Sequence, residues 1–159
     1  MNQSRRVFIR NSAIAAAGAT FFSSDLFAAA KKGELTGIQL YSIRDDMYKD
    51  PLGTLTQLSK MGYKHVEHAS YNNRKFYGWS ATEFKKLLNN LGMTMPSGHT
   101  VMSTKHWDAS KKDFTDAWKY TVEDAAAAGQ LFVISPSMET NTRRDLNALK
   151  GFMEVFNKS

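Results

Sequence analysis

Apolar residues recur along this chain in two rhythms: short runs that suit buried strands, and three-to-four-residue spacings that suit helices. The first short run is Gly37-Ile38-Gln39-Leu40-Tyr41-Ser42-Ile43-Arg44-Asp45, predicted as a strand with Ile38, Leu40 and, less strictly, Ile43 apolar. Gln39 and Tyr41 then share the opposite face, because strand side chains alternate. A polar pair there is costly in a plain core and ordinary where a strand ends at a pocket. Helix, glycine and strand then recur three times.

Asp50 as cap, Pro51 in the first turn and Gly62 as a left-handed stop punctuate the first helix, whose stripe is Leu52, Leu55, Leu58 and Met61. Tyr63-Lys64-His65-Val66-Glu67-His68 follows at once as a strand. Ser80 and Glu83 form a capping box ahead of Phe84, Leu87, Leu88 and Leu91. Gly92 ends that helix, and Met93-Thr94-Met95-Pro96-Ser97 is the next strand, with Pro96 acceptable only near a strand end or on an edge. Phe114, Trp118, Thr121, Val122 and Ala125 mark a third helix stopping at Gly129. Leu131-Phe132-Val133-Ile134 has the pattern of a fully buried strand. Leu146, Leu149, Phe152, Met153 and Phe156 give a fourth amphipathic helix.

Alternating strands and helices imply a parallel sheet with right-handed crossovers. The joints before strands are short and those after them long (Asn72 to Trp79, Thr100 to Lys112, Ser135 to Asn141). This asymmetry is that of a (β/α) barrel, whose working face carries the loops that follow the strands. Four units of about 32 residues are half of the ~250 residues of a closed barrel. The expected fold class is therefore α/β, the first half of a (β/α)8 TIM barrel with four parallel units.

Composition changes the picture mainly at the N-terminus. Ser4-Arg5-Arg6-Val7-Phe8-Ile9-Arg10 precedes a weakly apolar run, Ala13 to Phe22, and Ala28-Ala29-Ala30 offers a small-residue cleavage site. That order is an export signal, and the pair Arg5 and Arg6 resembles the twin-arginine type. Residues 1–30 are expected to be a signal peptide cut after Ala30, with 31–159 the barrel domain and the protein periplasmic. The run is well short of the ~20 residues of a membrane span, so membrane contact is expected only through the signal. The signal carries Arg5, Arg6 and Arg10 against Asp25, which is +2 of the net +6. The remaining Lys and Arg are scattered and accompany no nucleic-acid motif, so no nucleic-acid partner is expected. The chain has no cysteine, which excludes disulfides, thiol nucleophiles and zinc ribbons. It also has no H-E-x-x-H, G-x-S-x-G, Walker loop or dinucleotide fingerprint.

Gly37 to Asp45, Met61-Gly62-Tyr63-Lys64-His65-Val66-Glu67, Pro96-Ser97-Gly98-His99-Thr100 and Val122 to Gly129, in that order and spacing, resemble the xylose isomerase-like TIM-barrel family of sugar phosphate isomerases/epimerases. The likeness covers residues 34–159. It implies a small sugar or sugar derivative as ligand, and for the intact enzyme a divalent metal (Mn, Mg, Zn or Co) with proton transfer next to a sugar carbonyl. Some exported relatives are instead lyases or hydratases of 3-keto-glycosides. The family's metal ligands come mainly from strands five to eight, which have no counterpart here, so this chain alone is not expected to bind the metal, and its catalytic residues stay unassigned. A half-barrel is expected to self-associate or to pair with a complementary half.

Gln39, Tyr41, Glu67 and His99 are the candidate substrate-binding residues. Glu67 ends the second strand on the face of His65, where it serves either sugar hydroxyls and a metal ligand or a structural ion pair. Met95, Ser97 and His99 fall on one face of the third strand, and Gly98 allows close approach of a ligand or backbone. His99 suits a pocket better than a plain core. His65 lies deeper and reads as a polar core residue, His68 faces the helices without a role, and Ser42, Arg44 and Asp45 read as loop-end structure. Tyr71, Phe76, Tyr77, Trp79 and Trp107 form either a sugar platform or packing beneath the loops. His106 has no visible partner.

Overall fold

The computed structural model describes residues 37–159. Residues 1–36, and with them the expected signal peptide and its cleavage site, lie outside the described residues.

Four strands, β1 (Gly37–Gln39), β2 (His65–His68), β3 (Thr94–His99) and β4 (Phe132–Ile134), lie side by side in chain order, and every neighbouring pair is parallel. The helices that return the chain are α1 (Arg44–Lys49), α2 (Pro51–Met61), α3 (Ala81–Asn90), α4 (Asp116–Ala128), α5 (Thr140–Arg144) and α6 (Leu146–Phe156). Among the described residues no helix is long and apolar enough to cross a membrane.

Local chemistry sets the boundaries. The Asp50 carboxylate accepts the Gly53 N–H at 2.9 Å, Pro51 opens α2, and Gly62 closes it at φ 100°. Ser80 and Glu83 form the full reciprocal box on α3. Gly129 ends α4 at φ 91°. The core lies between sheet and helices, where Leu40, Leu55, Leu58, Val66, Phe84, Leu88 and Met95 are buried together. Met102, Trp118 and Phe152 form a smaller cluster.

Several expectations give way to geometry. β1 ends at Gln39, because Leu40–Ile43 winds into a 3-10 turn that buries Leu40 and leads into α1. In α2 the three-residue spacing falls short of the 3.6-residue turn, so the stripe rotates half a turn along its length. Leu55 and Leu58 are buried while Leu52 and Met61 are exposed. Phe114 lies before α4, in a short antiparallel pair with Trp107, and Val122 is exposed. β4 is not a fully buried strand, since Leu131 and Phe132 are 77% and 64% exposed.

Pro96 sits in an interior strand rather than at an edge. His65 pairs with Thr94 but Glu67 pairs with Ser97, so β3 carries one extra residue between those positions. This bulge absorbs the proline, whose missing N–H would otherwise break the ladder. It also resets the alternation. Met95 turns to the helices beside Leu88 and Ala128, whereas Ser97 and His99 turn to the opposite face.

Candidate functional site

Register creates the site. Gln39 pairs with Glu67, and Glu67 with Ser97, so three polar side chains stand in one row across β1, β2 and β3. They project from the sheet face turned away from the helices, which in a barrel is the interior. His99, two residues beyond Ser97 at the loop-bearing end of β3, leans over the same row. Its Nε2 lies 2.9 Å from Glu67 Oε1, and each of the two side chains is 22% exposed. Ser97 Oγ donates to Glu67 Oε2 at 2.6 Å, and the Gln39 amide donates to Glu67 Oε1 at 2.9 Å.

The Gln39 amide nitrogen also lies 3.0 Å from His99 Nδ1. It stands 2.8 Å from His99 Nε2 as well, and with Nε2–H donating to Glu67, Nδ1 is the ring nitrogen left to accept a Gln39 N–H. Partial burial pushes the Glu67 carboxyl upward, but the hydrogen bonds from Ser97 and Gln39 and the nearby His99 outweigh it, leaving Glu67 below its ordinary value. An ionised acceptor, an amide, a hydroxyl and an imidazole thus converge within hydrogen-bonding distance, a donor and acceptor set suited to sugar hydroxyls.

The other face of the same strands explains Gly98. His68 is 1% exposed, and its ring packs edge-on against Phe76 at 4.7 Å. A methyl group on Gly98 would stand 1.8 and 1.9 Å from His68 Cδ2 and Nε2. What approaches Gly98 is therefore the His68 ring on the helix side, not a ligand. Burial, helped by His99 and opposed by Glu67, pushes the His68 imidazole down to about 4. His68 faces the helices as expected, with a packing role that sequence reasoning missed.

A cavity of about 610 Å³ opens on the loop side of His99, lined by Tyr71, Asn73, Arg74, Thr100, His106 and Tyr120 among others. Its wall is a two-residue hairpin, Tyr71–Asn72 with Lys75–Phe76, turning through Asn73 and Arg74 at φ 49° and 60°. Left-handed φ at both positions suits the twist of a tight hairpin, although arginine is an unfavourable choice there. Arg74 is held in place from outside. Its Nη2 and Nε donate to the two Asp124 oxygens at 2.7 and 3.0 Å, and its guanidinium lies 4.2 Å from the Tyr120 ring centre. The Tyr71 hydroxyl donates to Asp124 at 2.6 Å. The Arg74 hydrogen bonds hold the Asp124 carboxyl below its ordinary value against its own burial.

Of the four predicted binding residues, three meet: Gln39, Glu67 and His99. Tyr41 does not, since β1 has already ended. It is 56% exposed in the 3-10 turn, beneath the Arg44 guanidinium, and no hydrogen bond links it to the row. Arg44 also donates to the Tyr41 carbonyl, and with Asp45 it opens α1 rather than ending a loop. His65 is exposed and bonded to Thr94 Oγ1 rather than lying in the core. Phe76, Tyr77 and Trp79 all pack on Phe84, and Trp107 packs on Phe114, so these rings hold the loops down. His106 does have partners: it accepts the Ser103 N–H through Nδ1 and stacks on Trp118.

Sequence reasoning missed two members. Ser97 secures Glu67, and Phe132 pairs in register with Ser97, which puts its ring at the end of the polar row. The β4 alternation held that signal, with Val133 packed on the core and Phe132 opposite it. Among the described residues no group of three or more His, Cys, Asp or Glu converges on one point.

Four parallel β/α units with a polar inner row at the loop-bearing end define the first half of a (β/α)8 barrel. Two solved structures share this fold, both described as sugar phosphate isomerase/epimerase from Parabacteroides distasonis ATCC 8503. One is similar at 27% identity with a TM-score of 0.66, covering 79% of this chain and 49% of its own. The other has 23% identity and a TM-score of 0.62, covering 81% of this chain and 47% of its own. The chain thus spans about half the length of these neighbours. No family model matches the sequence, and no curated protein does.

Proposed function

We propose that this chain supplies the sugar-binding half of an exported isomerase or epimerase of the sugar phosphate isomerase/epimerase type. The observation that carries the reading is the register-aligned row Gln39–Glu67–Ser97 with His99 over it. In this reading Glu67 accepts one sugar hydroxyl, and His99 offers a donor or acceptor to its neighbour. Ser97 and Gln39 hold the carboxylate in position, and the Phe132 ring gives an apolar surface for the sugar's C–H face. His99 Nε2 and Glu67 Oε1 stand 2.9 Å apart, a suitable arrangement for holding or moving a proton beside a carbonyl carbon.

Saturation-transfer NMR of the purified chain with a free pentose or hexose tests this. The expected result is transfer to the sugar protons that Glu67→Gln weakens by tenfold or more, since a hydrogen bond to a charged group contributes about 1.5–3 kcal/mol. Equal transfer in the wild type and in Glu67→Gln would remove the reading.

A further inference from the structure

Two donors in the wall of the cavity beyond His99 take no part in the inner row. The first is Arg74, whose side chain is 51% exposed. No Asp or Glu lines the cavity, and no Lys does. Asp124 holds the guanidinium from outside that lining through Nε and Nη2, which leaves the two Nη1 hydrogens without an acceptor among the described residues. The second donor is His106. Its Nδ1 accepts the Ser103 N–H, so the proton of the neutral ring sits on Nε2. Stacking on Trp118, with ring centres 5.1 Å apart, fixes the ring. Burial, opposed by Glu139, keeps the imidazole below its ordinary value and hence neutral at pH 7. At about 610 Å³ the space lies within the roughly 300–1,000 Å³ of small-molecule sites.

We propose that this cavity is a subsite for a carboxylate, and that the ligand of the whole site is a sugar acid of the uronate kind. The proposal rests on the sugar-binding reading above and narrows its substrate. His99 belongs to both spaces, bonded to Glu67 on the inner face and lining the cavity on the other. A sugar held on the row therefore extends its terminal carbon past His99. A carboxylate there, which accepts hydrogen bonds and donates none, meets Arg74 Nη1 and His106 Nε2–H. One guanidinium beside a neutral imidazole matches one negative charge. A phosphate ester carries nearly two at pH 7 and would leave charge without a partner in the lining.

The test titrates glucose, glucuronate and glucose 6-phosphate against the full chain at low salt, read by saturation-transfer NMR. Wild type is expected to bind glucuronate at least about fivefold more tightly than glucose, the effect of opposite unit charges about 4 Å apart in water, and more tightly than glucose 6-phosphate. Arg74→Gln should bring the ratio of glucuronate to glucose affinity to about one while glucose binding stays as it was. Arg74→Lys breaks the fork on Asp124 but keeps the charge, and it should keep the preference. Loss of the preference in both variants would assign Arg74 a structural role only and overturn the proposal. His106→Phe keeps the stack on Trp118 and is expected to weaken glucuronate by about fivefold, the worth of one hydrogen bond. Equal binding of glucose and glucuronate by wild type would sink the subsite whether or not the variants fold, and weakening of both by Glu67→Gln would then leave the inner row standing. Tighter binding of glucose 6-phosphate than of glucuronate would overturn the carboxylate. A glucuronate preference that Glu67→Gln leaves untouched would keep the subsite and remove the row, and absence of transfer to all three sugars would overturn both.

Discussion

At Gly98 the backbone has no room for a methyl group, because the His68 ring already occupies the place a Cβ would take. Gly98→Ala is expected to cost about 1–3 kcal/mol through overpacking. A Gly98→Ala/His68→Ala double variant should cost less than the sum of the two single changes, since the clash disappears with the ring. Urea titrations of the four proteins would measure this coupling, and strict additivity would contradict it. The same histidine gives stability a pH dependence. Above pH 6.5 His68 is neutral in both states. As pH falls, the unfolded chain takes up a proton near 6.5, while the folded imidazole stays neutral to about 4. The unfolded state then binds more protons, so stability declines through that window, by about 3 kcal/mol in total. His68→Leu should flatten the profile between pH 6.5 and 4, and an unchanged slope would count against this account. Among single residues, Glu67 and His99 could be recognised in advance by type and position on their strands. Gly98 could not be explained that way, because its neighbour across the sheet is thirty positions away in the chain.

At the scale of elements, the glycine stops and caps were readable because each depends on residues within one helical turn. Ser80→Ala removes the serine half of the α3 capping box, keeping the backbone N–H bond to Glu83, and is expected to destabilise by about 1 kcal/mol, measured as a shift in the urea midpoint with an unchanged slope. The Tyr71–Phe76 hairpin behaves differently. Its left-handed Arg74 is sustained by Asp124, fifty residues away on α4. Arg74→Ala should loosen the hairpin and speed amide exchange there while leaving α3 protected, and uniform exchange rates would argue against a local pin. Nothing within the hairpin sequence announces that contact. The β3 bulge is similar: Pro96 warned of an irregular strand, but the pairing with β2 decided that the extra residue falls before Ser97 and so sends Met95 to the helices.

For the molecule as a whole, the described residues leave β1 and β4 with one unpaired side each and the inner face open. Leu131, Phe132 and Leu146 are 77%, 64% and 65% exposed. A surface of this kind favours association. Sedimentation velocity of the purified chain is expected to show mass rising with concentration, and Phe132→Ser to reduce it. A monodisperse monomer for both would refute this. Export is a proposal at the same scale. Replacing Arg5 and Arg6 by lysine should retain the chain in the cytoplasm, and fractionation of cells expressing both forms would decide.

The sequence by itself determined the order of strands and helices, their parallel arrangement, the helix ends and three of the polar groups that meet at the site, Gln39, Glu67 and His99. These follow from short-range physics, namely side-chain periodicity, capping and the conformational range of glycine and proline. Only the tertiary structure decided where β1 stops, which face β3 presents on each side of Pro96, and that Ser97 and Phe132 join Gln39, Glu67 and His99. It also decided that Arg74 pairs with Asp124 across fifty residues. Those outcomes depend on register and on contacts between residues far apart in the chain. A shift of one position in a strand turns every side chain to the other face.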